Sequence, residues 1–348
     1  MATVRWKQYA LKFKQPSGTS RGVLTTKHSF FFLSDDPSFE YPAIGECSLI
    51  EGLSPDPSES YFTTLDAVCA FLGGKSDALP DLTAFPSIQM GVETLEKDIA
   101  SSGSKKLFDH AFTQGREGMQ INGLVWMGDR AFMRKQIIDK LEAGFDCIKM
   151  KIGAIDFETE LELLKFIRNE FGHDIELRVD ANGAFSMEDA LIKLEKLASY
   201  RLHSIEQPIQ QGHWESMAFL CEKSPVPIAL DEELIGIQPL RVKRTLLETI
   251  RPAYIILKPS LHGGMQGSDE WIAIANELGV NWWITSALES NVGLNAIAQY
   301  AFSYKVDLPQ GLGTGGLYSN NFESPLYLQG QIIRFKPDQS WDLRAIIP

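Results

Sequence analysis

The spacing of apolar and polar residues changes character near residue 116. Before that point, runs with β-strand alternation come first and segments with helical periodicity follow. Strands grouped ahead of helices are typical of an α+β domain, so the pattern predicts a separate domain of this class over residues 1–115. Its predicted strands and helices are, in order, 3–13, 21–33 and 40–47, then 58–72 and 87–101.

From residue 116 to 317, apolar runs of strand length alternate regularly with segments of helical periodicity. Strands that alternate with helices indicate parallel pairing, and eight such units predict an α/β fold, a (β/α)-barrel of the TIM type. The tail, residues 318–348, lies outside the alternation, and we expect it to pack back on the first domain. The predicted barrel strands are 121–126, 147–151, 176–180, 203–206, 227–231, 253–258, 281–286 and 306–311.

Composition narrows the class of protein. The chain has 348 residues, which suits one barrel of about 250 residues and a smaller domain. Its net charge of −12 argues against binding nucleic acid, and we find no apolar run of the roughly 18 residues that a membrane span needs. The cysteines are scattered and lack C-x-x-C spacing, which predicts reduced thiols. Because the sequence also shows no signal-peptide pattern, we expect a cytoplasmic protein. The oligomeric state is left open.

Three acidic residues end three successive predicted strands. Asp180, Glu206 and Asp231 lie at nearly equal intervals, each about one strand–helix unit after the last. The carboxyl ends of the strands meet at one mouth of a parallel barrel, where active sites of this fold lie. Carboxylate oxygens are the ligands of hard divalent cations, so the three acids predict a site for Mg²⁺, with Mn²⁺ as the alternative.

Lysines flank the acids on the strands before and after them. Lys149 and Lys151 end the preceding strand, and Lys258 ends the following one. Residues two apart on a strand share a face, so the first two lysines point the same way, as do Arg178 and Asp180. A lysine base needs its pKa lowered from about 10.4, which a second lysine and a dication would favour. We therefore expect lysine-mediated proton transfer next to a substrate carboxylate; simple ion pairing with the acids is the alternative.

Five short motifs lie on successive predicted strands: Lys149-Met-Lys151, Asp180-Ala-Asn182, Glu206-Gln-Pro208, Asp231-Glu232 and Leu257-Lys258-Pro259. Together they resemble the enolase superfamily, in its muconate-lactonising subgroup. The resemblance implies an enolase-like modified barrel, with residues 1–115 and the tail as a capping domain. It also implies Mg²⁺ held by the three acids and catalysis by the lysines on either side.

Less specific motifs lie at residues 45–48 with Gly52-Leu53-Ser54 after them, at residues 285–290 with Gly293-Leu294, and at residues 311–315. They resemble the o-succinylbenzoate synthases of menaquinone biosynthesis. This resemblance implies a carbon–oxygen lyase that dehydrates 2-succinyl-6-hydroxy-2,4-cyclohexadiene-1-carboxylate through an enediolate. Lys151 would be the base and then the acid, and Lys258 would face the opposite side of the ring. Further candidates for substrate contact or support are Asn182, Glu232, Arg21, Arg178, Ser286 and Glu289.

Other activities would use the same lysines. A dipeptide epimerase or N-acylamino acid racemase needs a lysine on each face of its substrate. Dipeptide epimerases of the superfamily typically carry an Asp-x-Asp pair, however, where this chain has Gly311-Leu312-Gly313. Muconate cycloisomerase is a third candidate. A barrel that binds a metal or a metabolite without catalysis is the alternative from another class.

Overall fold

The computed structural model describes residues 3–19 and 22–347, with only the backbone described at 17–19 and 22; Arg21 lies outside the described residues. Strands β1 (Thr3–Thr19), β2 (Gly22–Asp35) and β3 (Ala43–Ser48) form an antiparallel sheet in that order. Helices α1 (Tyr61–Leu72) and α2 (Pro86–Ala100) pack on it through a buried core that includes Phe30, Phe32, Leu65 and Ile88.

The first hairpin is longer than the sequence predicts. Residues 15–20, with a proline, a glycine and two serines, suggest a loop, yet pairing continues at Ser17–Leu24 and Gly18–Val23. The register shifts between Lys12 and Ser17, and Pro16 lies inside this irregular stretch. Proline has no N–H to donate and is accommodated where the ladder is irregular, so it interrupts the pairing without ending the strand.

The second part of the chain alternates strands and helices as predicted. Strands β5 to β11 form one parallel sheet in chain order, and most of their apolar residues are buried, as expected for a sheet covered by helices. The elements are β4 (Met119–Gln120), β5 (Gly123–Val125), α3 (Arg130–Glu142), β6 (Cys147–Lys151), α4 (Phe157–Phe171), β7 (Glu176–Asp180), α5 (Ala190–Ala198), β8 (Ser204–Glu206), α6 (Trp214–Lys223), β9 (Ile228–Leu230), α7 (Leu240–Ile250), β10 (Tyr254–Leu257), α8 (Gly264–Leu278), β11 (Asn281–Ile284) and α9 (Asn291–Ser303).

The prediction of a strand over residues 306–311 is wrong. The described backbone there makes only isolated parallel bridges, Gln310 with Ile121 and Gly311 with Thr285. These two bridges join both edges of the sheet and close the ring. Pro309 cannot donate to a ladder, and glycine weakens a strand, so the segment closes the barrel without forming a regular strand. Glycine is needed at 311, because a Cβ there would overlap the Thr285 side chain.

The tail contacts both parts of the chain. Strands β12 (Leu326–Gln329) and β13 (Ile332–Phe335) form a hairpin, and β13 pairs with β4 at the start of the barrel. Trp341 and Ile346 belong to a buried cluster that contains Phe31 of the first sheet. Among residues 3–19 and 22–347, we find no helix with the length and apolar character needed to cross a membrane.

Candidate active site

Three buried carboxylates lie side by side at the carboxyl ends of neighbouring strands. Asp180 ends β7, Glu206 ends β8 and Asp231 directly follows β9. The parallel register pairs Asp180 with Glu206, and their relative exposures are 1% and 2%, with 0% for Asp231. The structure thus brings together the three acids that the sequence singles out, because equal strand–helix units place equivalent positions at one mouth of the barrel.

The predicted lysines contact these acids directly. Lys149 Nζ lies 3.0 Å from Asp180 Oδ2 and 2.5 Å from Glu206 Oε2. Lys151 Nζ lies 2.9 Å from the same Asp180 oxygen, and Lys258 donates a hydrogen bond to Asp231. In the ring made by β5 to β11 and the 310–311 bridge, β6 and β10 lie across from each other. The ammonium groups of Lys151 and Lys258 therefore approach the site from opposite sides.

Burial and mutual charge shift the pKa values of this cluster. Burial alone would lower the pKa of Lys149 and of Lys258, but attraction to the carboxylates outweighs it and raises both. Burial raises the pKa of Glu206 well above its ordinary value, and repulsion from Asp180 adds to this. Burial would also raise the pKa of Asp180, yet the lysines hold it below its usual range. The cluster thus favours additional positive charge, since Glu206 resists ionisation among its acidic neighbours.

The donor set suits a hard divalent cation. Within the described part of the chain, Glu206 Oε1 and Asp231 Oδ1 are buried without a hydrogen-bond partner, an arrangement that is unfavourable unless a cation or another partner compensates. Among the same residues, no group of three or more histidine, cysteine, aspartate or glutamate side chains is already arranged to hold a metal ion. The lysine contacts explain this, because they draw the carboxylates towards ammonium groups.

Asn182 connects the Lys151 ammonium to a fourth acid. Its Oδ1 accepts a hydrogen bond from Lys151 Nζ at 2.7 Å, and its Nδ2 donates to Glu232 Oε1 at 3.0 Å. The backbone of Asn182 has φ +44°, a left-handed conformation that asparagine adopts more readily than most residues. Burial, followed by repulsion from Asp231, raises the pKa of Glu232. Asn182 therefore orients the lysine through a contact that the strand pattern alone does not require.

The other predicted site residues are distributed differently. Ser286 lines the cavity, and its hydroxyl lies 2.7 Å from that of Thr314. Arg178 lies in the barrel below the acids, where it donates to Glu176 and to the Pro309 carbonyl. Glu289 is fully buried behind the cavity wall. Arg21 cannot be placed, since it lies outside the described residues.

The cavity between the lysines has a largely apolar wall that sequence reasoning missed. Leu24, Ile50 and Leu53 come from the first domain, and Leu124 and Trp126 from the region of β5. Leu24 and Ile50 are apolar residues of a hairpin and a loop and carry no chemical signal, and Leu53 enters the sequence reasoning only as part of the Gly52-Leu53-Ser54 motif, without a place in the cavity. Leu124 and Trp126 are two residues apart near the end of a strand, as Lys149 and Lys151 are, so their side chains point the same way. The rule that located the lysines therefore also identifies these two residues, once the bounds of β5 are known.

His262 is a further contact of Lys258. Its Nδ1 accepts a hydrogen bond from the Lys258 backbone N–H at 3.0 Å. Burial lowers the pKa of His262 to about 3, so the imidazole is neutral and can serve as this acceptor. The histidine thereby holds the backbone of the lysine in place.

Comparison with known proteins identifies the family. A family model described as Enolase C-terminal domain-like matches residues 133–327. The chain is 45% identical to an o-succinylbenzoate synthase of Desulfotalea psychrophila, an alignment that covers 93% of this chain and 96% of that protein. The chain belongs to the o-succinylbenzoate synthase family. The predicted family and the enolase-like barrel with its capping domain are therefore confirmed.

Solved structures agree with this membership. The crystal structure of MenC from Desulfotalea psychrophila superposes with a TM-score of 0.83 at 41% identity, covering 96% of this chain and 99% of that one. An L-Ala-D/L-Glu epimerase from Bacillus subtilis, solved with its substrate, reaches a TM-score of 0.81 at 20% identity, covering 95% of each chain. At that identity the likeness to the epimerase shows a shared fold alone.

Proposed function

We propose that this member of the o-succinylbenzoate synthase family is a carbon–oxygen lyase. Its substrate is 2-succinyl-6-hydroxy-2,4-cyclohexadiene-1-carboxylate, which it dehydrates to o-succinylbenzoate for menaquinone biosynthesis. One observation carries the proposal: the chain is 45% identical to an o-succinylbenzoate synthase over 93% of its length. The geometry suits this reaction, because Lys151 and Lys258 line the same cavity from strands that lie across the barrel from each other. A flat ring between them presents one face to each ammonium group.

We infer that Asp180, Glu206 and Asp231 hold Mg²⁺, and that Mn²⁺ suits the same oxygen donors. When bound, the cation supplies Lewis-acid stabilisation for the negative charge that develops on the substrate carboxylate. Lys149 lies between Asp180 and Glu206, where its charge balances part of the carboxylate cluster.

Lys151, in its neutral form, removes the proton from the ring carbon that bears the carboxylate, and the electron pair of that C–H bond passes into an enediolate. The C–O bond to the neighbouring hydroxyl then breaks. Protonated Lys151 returns the proton to the leaving oxygen, which departs as water, and the ring becomes aromatic. Asn182 keeps the nitrogen oriented for both transfers through its 2.7 Å contact, since proton transfer requires hydrogen-bond reach.

Lys258 contributes from the other side of the barrel. A cation above an aromatic ring is attracted by the negative face of its π system, and this attraction grows as the ring becomes aromatic. An interaction that strengthens along the reaction lowers the barrier, whereas one that is uniform does not. Its contact with Asp231 fixes the direction of the side chain. The Lys258 backbone N–H donates a hydrogen bond to His262 Nδ1, which holds the backbone from which the side chain extends.

An epimerase or racemase needs the same two lysines, so the eighth position of the barrel separates the functions. Gly311, Gly313 and Thr314 line the cavity there, and the sequence places no acid among them. The ammonium group of a dipeptide would find no carboxylate at this wall. Muconate cycloisomerase and a non-catalytic barrel remain as outcomes of the test.

The test is a paired assay with purified protein and Mg²⁺. We expect the ultraviolet absorbance of the cyclohexadiene to change as it becomes aromatic, and no change of configuration across a panel of L-dipeptides. Racemised dipeptides without turnover of the cyclohexadiene would favour the epimerase; formation of muconolactone from muconate would favour the cycloisomerase. Failure of every substrate to exchange its acidic proton in D₂O would favour a binding protein.

Location in the cytoplasm belongs to the same proposal. The four cysteines, all within the described residues, are free thiols in the structure. Free thiols are the usual state of cysteines in reducing compartments.

A further inference from the structure

A buried polar cluster joins the capping domain to the barrel behind the cavity wall. It contains Lys27 of β2, Glu46 of β3, and Glu289 and Ser290, which precede α9. Their relative exposures are 4%, 1%, 0% and 0%. None of the four is among the described residues that line the cavity, so the cluster acts on substrate only through its neighbours.

Glu46 binds the start of a barrel helix. Its Oε1 accepts the Ser290 N–H at 3.0 Å. Its Oε2 accepts the Ser290 hydroxyl at 2.5 Å and the Gly293 N–H at 2.8 Å. The first N–H groups of a helix lack partners within it and favour negative charge. A carboxylate of the capping domain therefore fixes the first turn of α9.

Glu289 links two walls of the active site. Its Oε1 accepts the Ser260 hydroxyl at 2.6 Å, two residues after Lys258. Its Oε2 accepts the N–H of Ala287 at 2.6 Å, and Ala287 belongs to the cavity-lining segment 285–288. The carboxylate thus sets the distance between the turn that follows Lys258 and the 285–288 loop that follows the neighbouring strand.

Lys27 provides the compensating charge. Burial lowers its pKa, and attraction to Glu46 and then to Glu289 opposes that shift. Burial, and repulsion from Glu46, raise the pKa of Glu289 to about 7, although the Ser260 hydrogen bond opposes the shift. The Lys27 ammonium donates a hydrogen bond to Ser29 Oγ at 2.8 Å, and it acts on the two carboxylates through its charge.

We propose that Glu46 and Glu289 are positioning residues that fix Lys258 and the 285–288 wall relative to the capping domain. The inference rests on the proposed function, because it gives Lys258 its role. Neither glutamate touches substrate. Their effect is geometric: a shift of about 1 Å in a reacting group can lower a rate about 10²-fold.

The experiment compares three variants with a matched control. Glu289→Ala removes both hydrogen bonds, whereas Glu289→Gln keeps an acceptor for Ala287 and a donor for the Ser260 hydroxyl. In Glu46→Gln, the NH₂ group replaces one of the two accepting oxygens. It then faces an N–H or hydroxyl donor, so at least one hydrogen bond to the start of α9 is lost. Asp98→Ala is the control: Asp98 is equally buried and accepts the Ile44 and Lys105 N–H groups within the capping domain.

We expect Glu289→Ala and Glu46→Gln to lower kcat at least about tenfold, with KM changed less than about threefold, at a temperature where all variants are folded. Glu289→Gln recovers most of the rate, and Asp98→Ala lowers the unfolding temperature without changing kcat. Equal kcat losses in Glu289→Ala and Asp98→Ala, or an unchanged kcat in Glu289→Ala, would overturn the proposal.

Hydrogen exchange separates this proposal from the proposed function. In Glu289→Ala we expect faster exchange of the Ala287 N–H and of the peptide that carries Lys258, while peptides of β6 keep wild-type rates. This result needs no turnover, so an inactive wild-type protein refutes the synthase reaction and leaves the positioning claim testable. Wild-type exchange rates at both segments in Glu289→Ala would refute positioning itself.

Discussion

Replacing Asn182 by glycine removes the side chain that holds the Lys151 ammonium without straining the backbone. The variant loses the 2.7 Å contact to Lys151 Nζ and the 3.0 Å contact to Glu232. Hydrogen bonds to charged groups contribute about 1.5–3 kcal/mol each, and 1.4 kcal/mol is about tenfold in rate. If the Lys151 contact is needed in the transition state, kcat falls about 10- to 150-fold. The assay follows ultraviolet absorbance at saturating substrate.

Alanine at the same position is the matched control, because it removes the same contacts but retains a Cβ. Asn182 has φ +44°, where alanine costs about 1 kcal/mol relative to glycine. We therefore expect equal kcat losses in the two variants and a lower free energy of unfolding for Asn182→Ala, measured by urea denaturation. A wild-type kcat in Asn182→Gly would refute the role in orienting Lys151. Equal stability of the two variants would refute the backbone argument.

Three further predictions address the metal, the base and the buried glutamate. Chelation with EDTA abolishes turnover, and titration with Mg²⁺ or Mn²⁺ restores it; persistent activity in metal-free buffer would refute the cation site. Lys151→Met lowers kcat by about 10²- to 10⁴-fold, which is the range for loss of a general acid–base group. The same absorbance assay measures the loss, and a loss below tenfold would mean that another residue is the base. The pKa of Glu289 is raised to about 7 in the folded protein, whereas an unperturbed glutamate has a pKa of about 4.3. The folded protein therefore binds an extra proton between these two pH values. The free energy of unfolding falls as pH rises through that window. Urea denaturation of wild type and Glu289→Gln across this window should show the extra slope in wild type alone; parallel curves would contradict the shift.

The part of the site that sequence predicts best lies on single strands. Lys151 and Asp180 end their strands, and Lys149 lies two residues before Lys151. The direction of all three side chains follows from the two-residue alternation along a strand. Equal strand–helix units then place the next acids at the same mouth. This prediction needs no knowledge of distant contacts, because register within a parallel barrel propagates from strand to neighbouring strand.

The sequence by itself determined the order of strands and helices, the α+β domain ahead of a barrel, and the acid and lysine positions, since each follows from local periodicity. Tertiary structure alone decided the closure at Gln310 and Gly311, the apolar wall from Leu24 and Leu53, and the joint between Glu46 and Ser290. Those contacts join residues far apart in the chain. Local patterns do not constrain such pairs, because packing between domains depends on the shape and charge of surfaces that exist only after each domain has folded.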